Sequence, residues 1–256
     1  MQQIYKLIKL NRLIRSYRVK FLGVLLADIF GLRHLFLRLD PVMACNLKCS
    51  MCYFSDQDYV RKIRGRLSSE ELDRIAELFF PRTLQLVVGC AAEPTLHKGY
   101  IDIIVLAKEK HVPFVGLTTN GQLINNEAVS QLVQSGLDEI TLSLHGVTAD
   151  TYEKFMVNGS YERVHQFLSE LTACKKKYRT KAPEVRINYT VNAENLDELE
   201  KFFEIFGAYS IDTLQVRPMV DVGKTSFEHQ PMTHLTIDRY NEVVARLQQD
   251  CSGLGV

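Results

Sequence analysis

The sequence predicts an α/β fold in which six βα units build a mainly parallel sheet. Three observations carry that prediction. Short strand-like runs alternate with helical periodicities along most of the chain. The chain has 256 residues, 46% of them hydrophobic, enough for one large α/β domain or two small ones. Charged residues are 24%, with 31 Lys and Arg against 30 Asp and Glu, which argues against disorder and fibrous or disulfide-scaffold classes. Six units are too few for a closed eight-fold barrel. An open, partial barrel and a doubly wound sheet both accommodate them, and both put chemistry on the βα loops at the C-terminal strand ends.

The elements follow in order. Residues 1–34 read as a basic helical segment, with Ile4, Leu7, Ile8, Leu10 and Ile14 near helical spacing and Lys6, Lys9, Arg12, Arg15 and Arg18 between them. Residues 1–40 hold eight Lys and Arg against two Asp, a net of +6, which leaves −5 on the rest of a chain whose total is +1. The preferred reading is a helix packed on the main domain with a solvated basic face. The other is contact with an anionic membrane surface or acidic partner. The apolar stretch at 21–32 contains Asp28 and is too short to span a bilayer. No short apolar core leads to a cleavage site, so the expected location is cytoplasmic. The near-neutral charge argues against nucleic-acid binding by bulk electrostatics.

Residues 35–250 form the expected core domain. Strands are predicted at 36–39, 84–88, 114–117, 139–144, 185–191 and 213–217. Between them, Ser68 and Glu71 make a capping box for a helix with Leu72, Ile75, Ala76 and Phe79 inward. A helix over 100–111 is expected to bury Ile101, Ile104 and Val105. Another runs from Asn126 to Gln134 and ends near Gly136. A long helical stretch covers about 148–178, weakened at Asn158 and Gly159, with Lys175, Lys176 and Lys177 as a solvated end. Leu196, Leu199, Phe203 and Phe206 mark a helix, and Ile237, Tyr240, Val244 and Leu247 mark the last one. Residues 251–256 are a tail, read as the truncated start of a C-terminal extension.

Three of six cysteines crowd into one loop after the first strand: Cys45, Cys49 and Cys52, spaced C-x3-C-x2-C. Clustered thiols in such a chain favour metal binding in a reducing compartment. An iron–sulfur cube usually takes four cysteines, and no fourth stands at a neighbouring spacing, so a three-cysteine cube would leave one iron open. A zinc site with His97 or Cys90 as a distant fourth ligand is the alternative.

This loop resembles that of the radical S-adenosylmethionine (radical SAM) superfamily, and the resemblance runs from about residue 36 to 250. It implies a partial (βα)6 TIM-like barrel and a 4Fe-4S cluster on Cys45, Cys49 and Cys52. S-adenosyl-L-methionine (SAM) would then hold the fourth iron through its amino and carboxylate groups. Gly89-Cys90-Ala91-Ala92-Glu93-Pro94 resembles the family's glycine-rich motif and implies that Glu93 meets the SAM amino group. Thr119-Asn120-Gly121 and Leu142-Ser143-Leu144-His145-Gly146 resemble further family segments. They mark Asn120 as a SAM contact and Ser143 as a ribose contact, with Asn188 on the fifth strand as another candidate for ribose or adenine. The chain departs from the family in two places. Met51, followed after Cys52 by Tyr53, stands where relatives often have an aromatic. Met156 stands where relatives carry an arginine that grips the SAM carboxylate, with Arg163, Arg186 or Arg217 as substitutes.

The resemblance implies reductive cleavage of SAM to a 5′-deoxyadenosyl radical that removes a hydrogen atom from substrate. The electron would come from a flavodoxin- or ferredoxin-type donor. The pattern is similar to the subgroup holding peptide- and protein-modifying maturases and pterin-cofactor synthases, which implies a peptide or protein substrate. The rival from another class is a non-catalytic iron–sulfur or structural metal protein, which would have no need of Glu93, Asn120 and Ser143.

Overall fold

The computed structural model describes residues 14–220, 225, 227 and 234–254. Six strands, β1 (Leu35–Leu39), β2 (Thr83–Val88), β3 (Phe114–Thr119), β4 (Glu139–Leu144), β5 (Glu184–Val191) and β6 (Thr213–Pro218), pair in parallel in that order. Sheet order equal to chain order decides between the two architectures. A doubly wound sheet reverses its strand order and takes helices on both faces. Successive crossovers of one hand instead put the helices on one face and curl the sheet into part of a barrel. Among the described residues no pairing joins β1 to β6, so the barrel is open along one side.

The helices are α1 (Tyr17–Ile29), α2 (Gln57–Lys62), α3 (Ser69–Phe79), α4 (Tyr100–Glu109), α5 (Asn126–Gln134), α6 (Ala149–Phe155), α7 (Tyr161–Tyr178), α8 (Phe202–Phe206) and α9 (His234–Leu254). The strand alternation shows how the layers work. Ile140, Leu142 and Leu144 of β4 and Val185, Ile187, Tyr189 and Val191 of β5 are buried under the helices. Between them Thr141, Ser143, Arg186 and Asn188 face the other way, half-buried, into the concave side. A polar interior face is what a cavity requires, whereas a sheet covered on both sides would be apolar throughout.

The capping box is complete: the Glu71 amide donates to Ser68 Oγ at 3.2 Å and the Ser68 amide to Glu71 Oε2 at 2.8 Å. The predicted 148–178 stretch divides at its weak point, where Asn158 takes φ +71° and Ser160 caps α7. Three helix faces differ from expectation. Phe80, not Phe79, is buried, because the turn at Phe80–Arg82 keeps the four-residue spacing from Leu72 and Ala76. On α4 the buried set is Tyr100, Ile103, Ile104 and Ala107, while Val105 is exposed. On α9, Val243 rather than Val244 packs beside Leu247. Lys175 is no solvated end. It is buried and reaches Asp212 at 3.4 Å.

That pair belongs to a repeated device at the foot of the sheet, the N-terminal strand ends. Asp212 Oδ2 accepts the Val185 amide at 2.8 Å. Asp138 Oδ2 likewise accepts the Val115 amide at 2.7 Å and pairs with Lys108 at 2.6 Å. Each carboxylate ties a strand foot to the preceding helix. The N-terminal segment is fastened here too. The Arg33 guanidinium donates to the carbonyls of Phe80 (2.6 Å), Thr83 (3.0 Å) and Lys110 (2.7 Å). The expectation that residues 1–34 pack on the domain fails for α1, which has no buried residue. Ile4, Leu7, Ile8 and Leu10, with the basic residues between them, lie outside the described residues, as do Gly255 and Val256 of the tail.

Candidate active site

The thiol loop leaves β1 at the opposite end, the mouth. It is held by backbone pairing with the α6–α7 loop: the Lys48 amide donates to the Val157 carbonyl at 3.0 Å and the Ser50 amide to Phe155 at 2.9 Å. Met156 lies between those two carbonyls and is buried. A guanidinium in its place would enter the packed core, so Met156 is a packing residue here. Burial dominates the thiol chemistry. It pushes Cys45 up to about 11 and also raises Cys49 and Cys52, and Cys49 is raised further by the charges of both neighbours. A cationic metal group reverses that balance by stabilising thiolates.

Among the described residues no three His, Cys, Asp or Glu side chains converge on one point, as a single ion requires. An iron–sulfur cube makes no such demand, because each thiolate takes a different iron. Of the two proposed distant ligands, His97 is already committed. Gly99 N–H donates to His97 Nδ1 at 3.2 Å, so Nε2 carries the proton and donates to the Leu67 carbonyl at 2.9 Å, leaving no free lone pair. Cys90 is exposed, with its sulfur 3.8 Å from the Val87 carbonyl. All six cysteines are free thiols.

The β2 loop is built around two carboxylates. Asp40, directly after β1, was not singled out by sequence, since Asp before Pro reads as an ordinary turn opener. Its Oδ1 accepts three successive amides, Cys90 (2.8 Å), Ala91 (3.0 Å) and Ala92 (3.1 Å). With those N–H groups drawn to Asp40, the loop's carbonyls are left to face other partners, and the Tyr53 hydroxyl takes that of Ala91. Gly89 begins the turn at φ +80°, where a Cβ would lie 2.4 Å from the Thr118 carbonyl.

Glu93 is buried. Its Oε1 accepts from Thr95 N (3.2 Å), Thr95 Oγ1 (2.6 Å) and Thr119 Oγ1 (2.7 Å), and Oε2 accepts the Asn120 amide (2.8 Å). Burial raises its pKa and these four bonds oppose the rise. Glu93 therefore ties β2 to β3, and its Oε2 accepts one hydrogen bond where Oε1 accepts three. Asn120 faces the thiol loop. Its Nδ2 donates to Asn46 Oδ1 at 2.9 Å and lies 3.9 Å from Cys45 Sγ.

Ser143 and Asn188 stand side by side in the β4–β5 register. The Ser143 hydroxyl has no partner among the described residues, and Asn188 Oδ1 and His145 Nδ1 are buried without one. Such orphaned atoms on a concave face fit a polar ligand with hydroxyls. Burial lowers the His145 pKa to about 4, so it is neutral. Among the candidate clamp arginines, Arg163 donates to the Ile124 carbonyl at 2.9 Å, and Arg186 forms a two-point pair with Glu139 at 3.1 and 2.7 Å. Arg217, exposed and registered beside Thr190, has no partner among the described residues. Met51 is buried, with Asn192 Nδ2 3.1 Å from its sulfur.

Fold and mouth together define a class: a partial-barrel enzyme that carries its chemistry on βα loops, with a thiol loop after the first strand. The chain belongs to the radical SAM superfamily, whose family model matches residues 41–206. Its cofactors are a 4Fe-4S cluster and S-adenosyl-L-methionine. The non-catalytic alternative falls with that membership. A curated relative from Saccharolobus solfataricus, described as a probable GTP 3',8-cyclase, is 29% identical over 222 residues, covering 85% of this chain and 68% of the relative. Among solved structures, Streptococcus suis SuiB bound to S-adenosylmethionine superposes with a TM-score of 0.69 at 18% identity, over 97% of this chain. SuiB bound to precursor peptide SuiA gives 0.68 at 20% identity over 85% of this chain, and native anSMEcpe with bound AdoMet gives 0.68 at 18% over 87%. These show the fold. The chain spans 58%, 47% and 62% of those three chains respectively.

Proposed function

We propose that Cys45, Cys49 and Cys52 hold the 4Fe-4S cluster, and that the mouth binds SAM and directs its radical to a peptide or protein substrate. The observation that carries the reading is the convergence on one end of the sheet of the thiol loop, the Glu93–Asn120 link and the orphaned polar atoms of His145 and Asn188. When bound, cluster and SAM supply one-electron reductive cleavage, with the electron from a flavodoxin- or ferredoxin-type donor. The chain's own residues position and shield. Asp40 fixes the β2 loop so that its carbonyls and Glu93 Oε2 can take an ammonium. Asn120 donates toward the Cys45 sulfur. Ser143 and Asn188 offer a hydroxyl and an amide oxygen for ribose hydroxyls, and Arg217, without a partner among the described residues, is a cation that a carboxylate could meet.

The open side between β1 and β6 supports an extended substrate, because a closed barrel admits ligands only through its mouth. Solved neighbours with bound peptides point the same way. A guanine nucleotide is the second reading, favoured by the curated relatives. The test is anaerobic reconstitution, then 5′-deoxyadenosine formation with peptide pools or with GTP. Stimulation by peptides supports the first reading and stimulation by GTP alone supports the second. Full iron content in a Cys45→Ala, Cys49→Ala or Cys52→Ala variant would overturn the ligand assignment.

A further inference from the structure

We infer that α1 is a membrane-interface anchor that docks the enzyme on an anionic lipid surface. The inference is independent of the cofactor site. In α1 most side chains are apolar, with Arg18, Lys20 and Asp28 among them, yet none is buried. Tyr17 is 84% exposed, Phe21 71% and Ile29 66%, and Phe30, just beyond, is 72%. A largely apolar helix left exposed along its length is normally covered by protein or lipid, so these side chains mark an interaction surface. Thirteen residues rise about 20 Å, short of the roughly 30 Å hydrocarbon core. No helix among the described residues is long and apolar enough to cross a membrane, so α1 would lie in the interface.

Charge selects the occupant. The +6 of residues 1–40 sits on the same segment as the exposed apolar side chains, while the rest of the chain carries −5. Anionic lipid attracts the first and repels the second, which orients the molecule. A second copy would set +6 against +6 and is disfavoured by the same electrostatics.

The attachment gives the inference its functional content. Arg33 locks the segment after α1 to carbonyls at the sheet's foot, the His34 amide donates to the Arg82 carbonyl at 2.8 Å, and Arg82 lies 3.7 Å from Asp28. The thiol loop is at the other end of the strands. An enzyme held by α1 is therefore tethered by its foot, with its mouth free for a water-borne substrate.

The experiment is flotation of the full chain with phosphatidylcholine vesicles, with and without phosphatidylglycerol. Binding is expected to the anionic vesicles and to weaken steeply between about 0.1 M and about 1 M salt, as the screening length falls from about 10 to about 3 Å. Replacing Arg15, Arg18 and Lys20 together by Gln should weaken it roughly a hundredfold, at about fivefold per basic residue. Phe21→Ser with Ile29→Ser, both at exposed positions, should weaken it roughly tenfold or more while circular dichroism stays unchanged. No flotation with anionic vesicles overturns the inference, as does equal binding to both vesicle types. A solution dimer that the Phe21/Ile29 variant splits, with no flotation, would assign α1 to a second copy instead.

Discussion

Replacing Asp40 by alanine should release the β2 loop from β1. One carboxylate oxygen holds three consecutive amides at 2.8, 3.0 and 3.1 Å. Hydrogen bonds to a charged group are worth about 1.5–3 kcal/mol each, so three taken at face value approach about 5–9 kcal/mol. Exposure reduces that sum. Cys90 and Ala91 are open to solvent, and water takes over their N–H groups once the carboxylate is gone. Only Ala92 is half-buried. The expected loss is about 2–4 kcal/mol. Asp40→Asn keeps an acceptor and loses the charge, so it should fall between. Urea denaturation of each variant measures the stability change, and anaerobic calorimetry of the reconstituted protein measures SAM affinity, which should fall with it. A stability within about 0.5 kcal/mol of the parent, together with unchanged SAM affinity, would refute the clamp.

Three further outcomes follow from the same geometry. Glu93→Ala strands the buried amide of Asn120 and the Thr119 hydroxyl, so it should cost about 3–5 kcal/mol in denaturation as well as SAM affinity, and an effect on affinity alone would deny the β2–β3 tie. His145 has a folded pKa of about 4 against 6.5 unfolded, so the unfolded chain binds the extra proton between those values. Stability should drop on the order of 3 kcal/mol as pH falls from about 6.5 to about 4, and His145→Asn should flatten that part of the denaturation profile. Gly146→Ala places a Cβ 2.2 Å from the Tyr152 amide nitrogen. A loss of about 3 kcal/mol or more is expected, and a melting temperature equal to the parent's would contradict the close approach.

Strands were legible because alternation is a local signal: Ile140, Leu142 and Leu144 announce both the strand and its buried face. Helix faces were less so, since one residue's rotation separates Val105 from Ile104, and the deciding contacts are tertiary. The thiol loop was legible because unrelated cysteines rarely crowd together, and Cys45, Cys49 and Cys52 share one short loop. Asp40 was not, because its partners lie about fifty residues away and its own neighbourhood shows only a turn. Glu93 was seen as a ligand group, while its structural bonds to Thr119 and Asn120 depend on how β3 sits beside β2. The α2 helix, six residues capped by Asp56, is too short for periodicity to reveal.

The ordering of the sheet also carries a timetable. Each strand pairs with its neighbours in the chain, so a growing polypeptide can add one unit at a time, with modest loop closures at every step. The thiol loop breaks that locality. It emerges directly after β1, yet its brace is the Phe155–Val157 segment, 105 residues beyond Ser50. During synthesis that brace forms only once the fourth strand and the helix after it have docked. A chain interrupted before α6 would display its thiols without that brace.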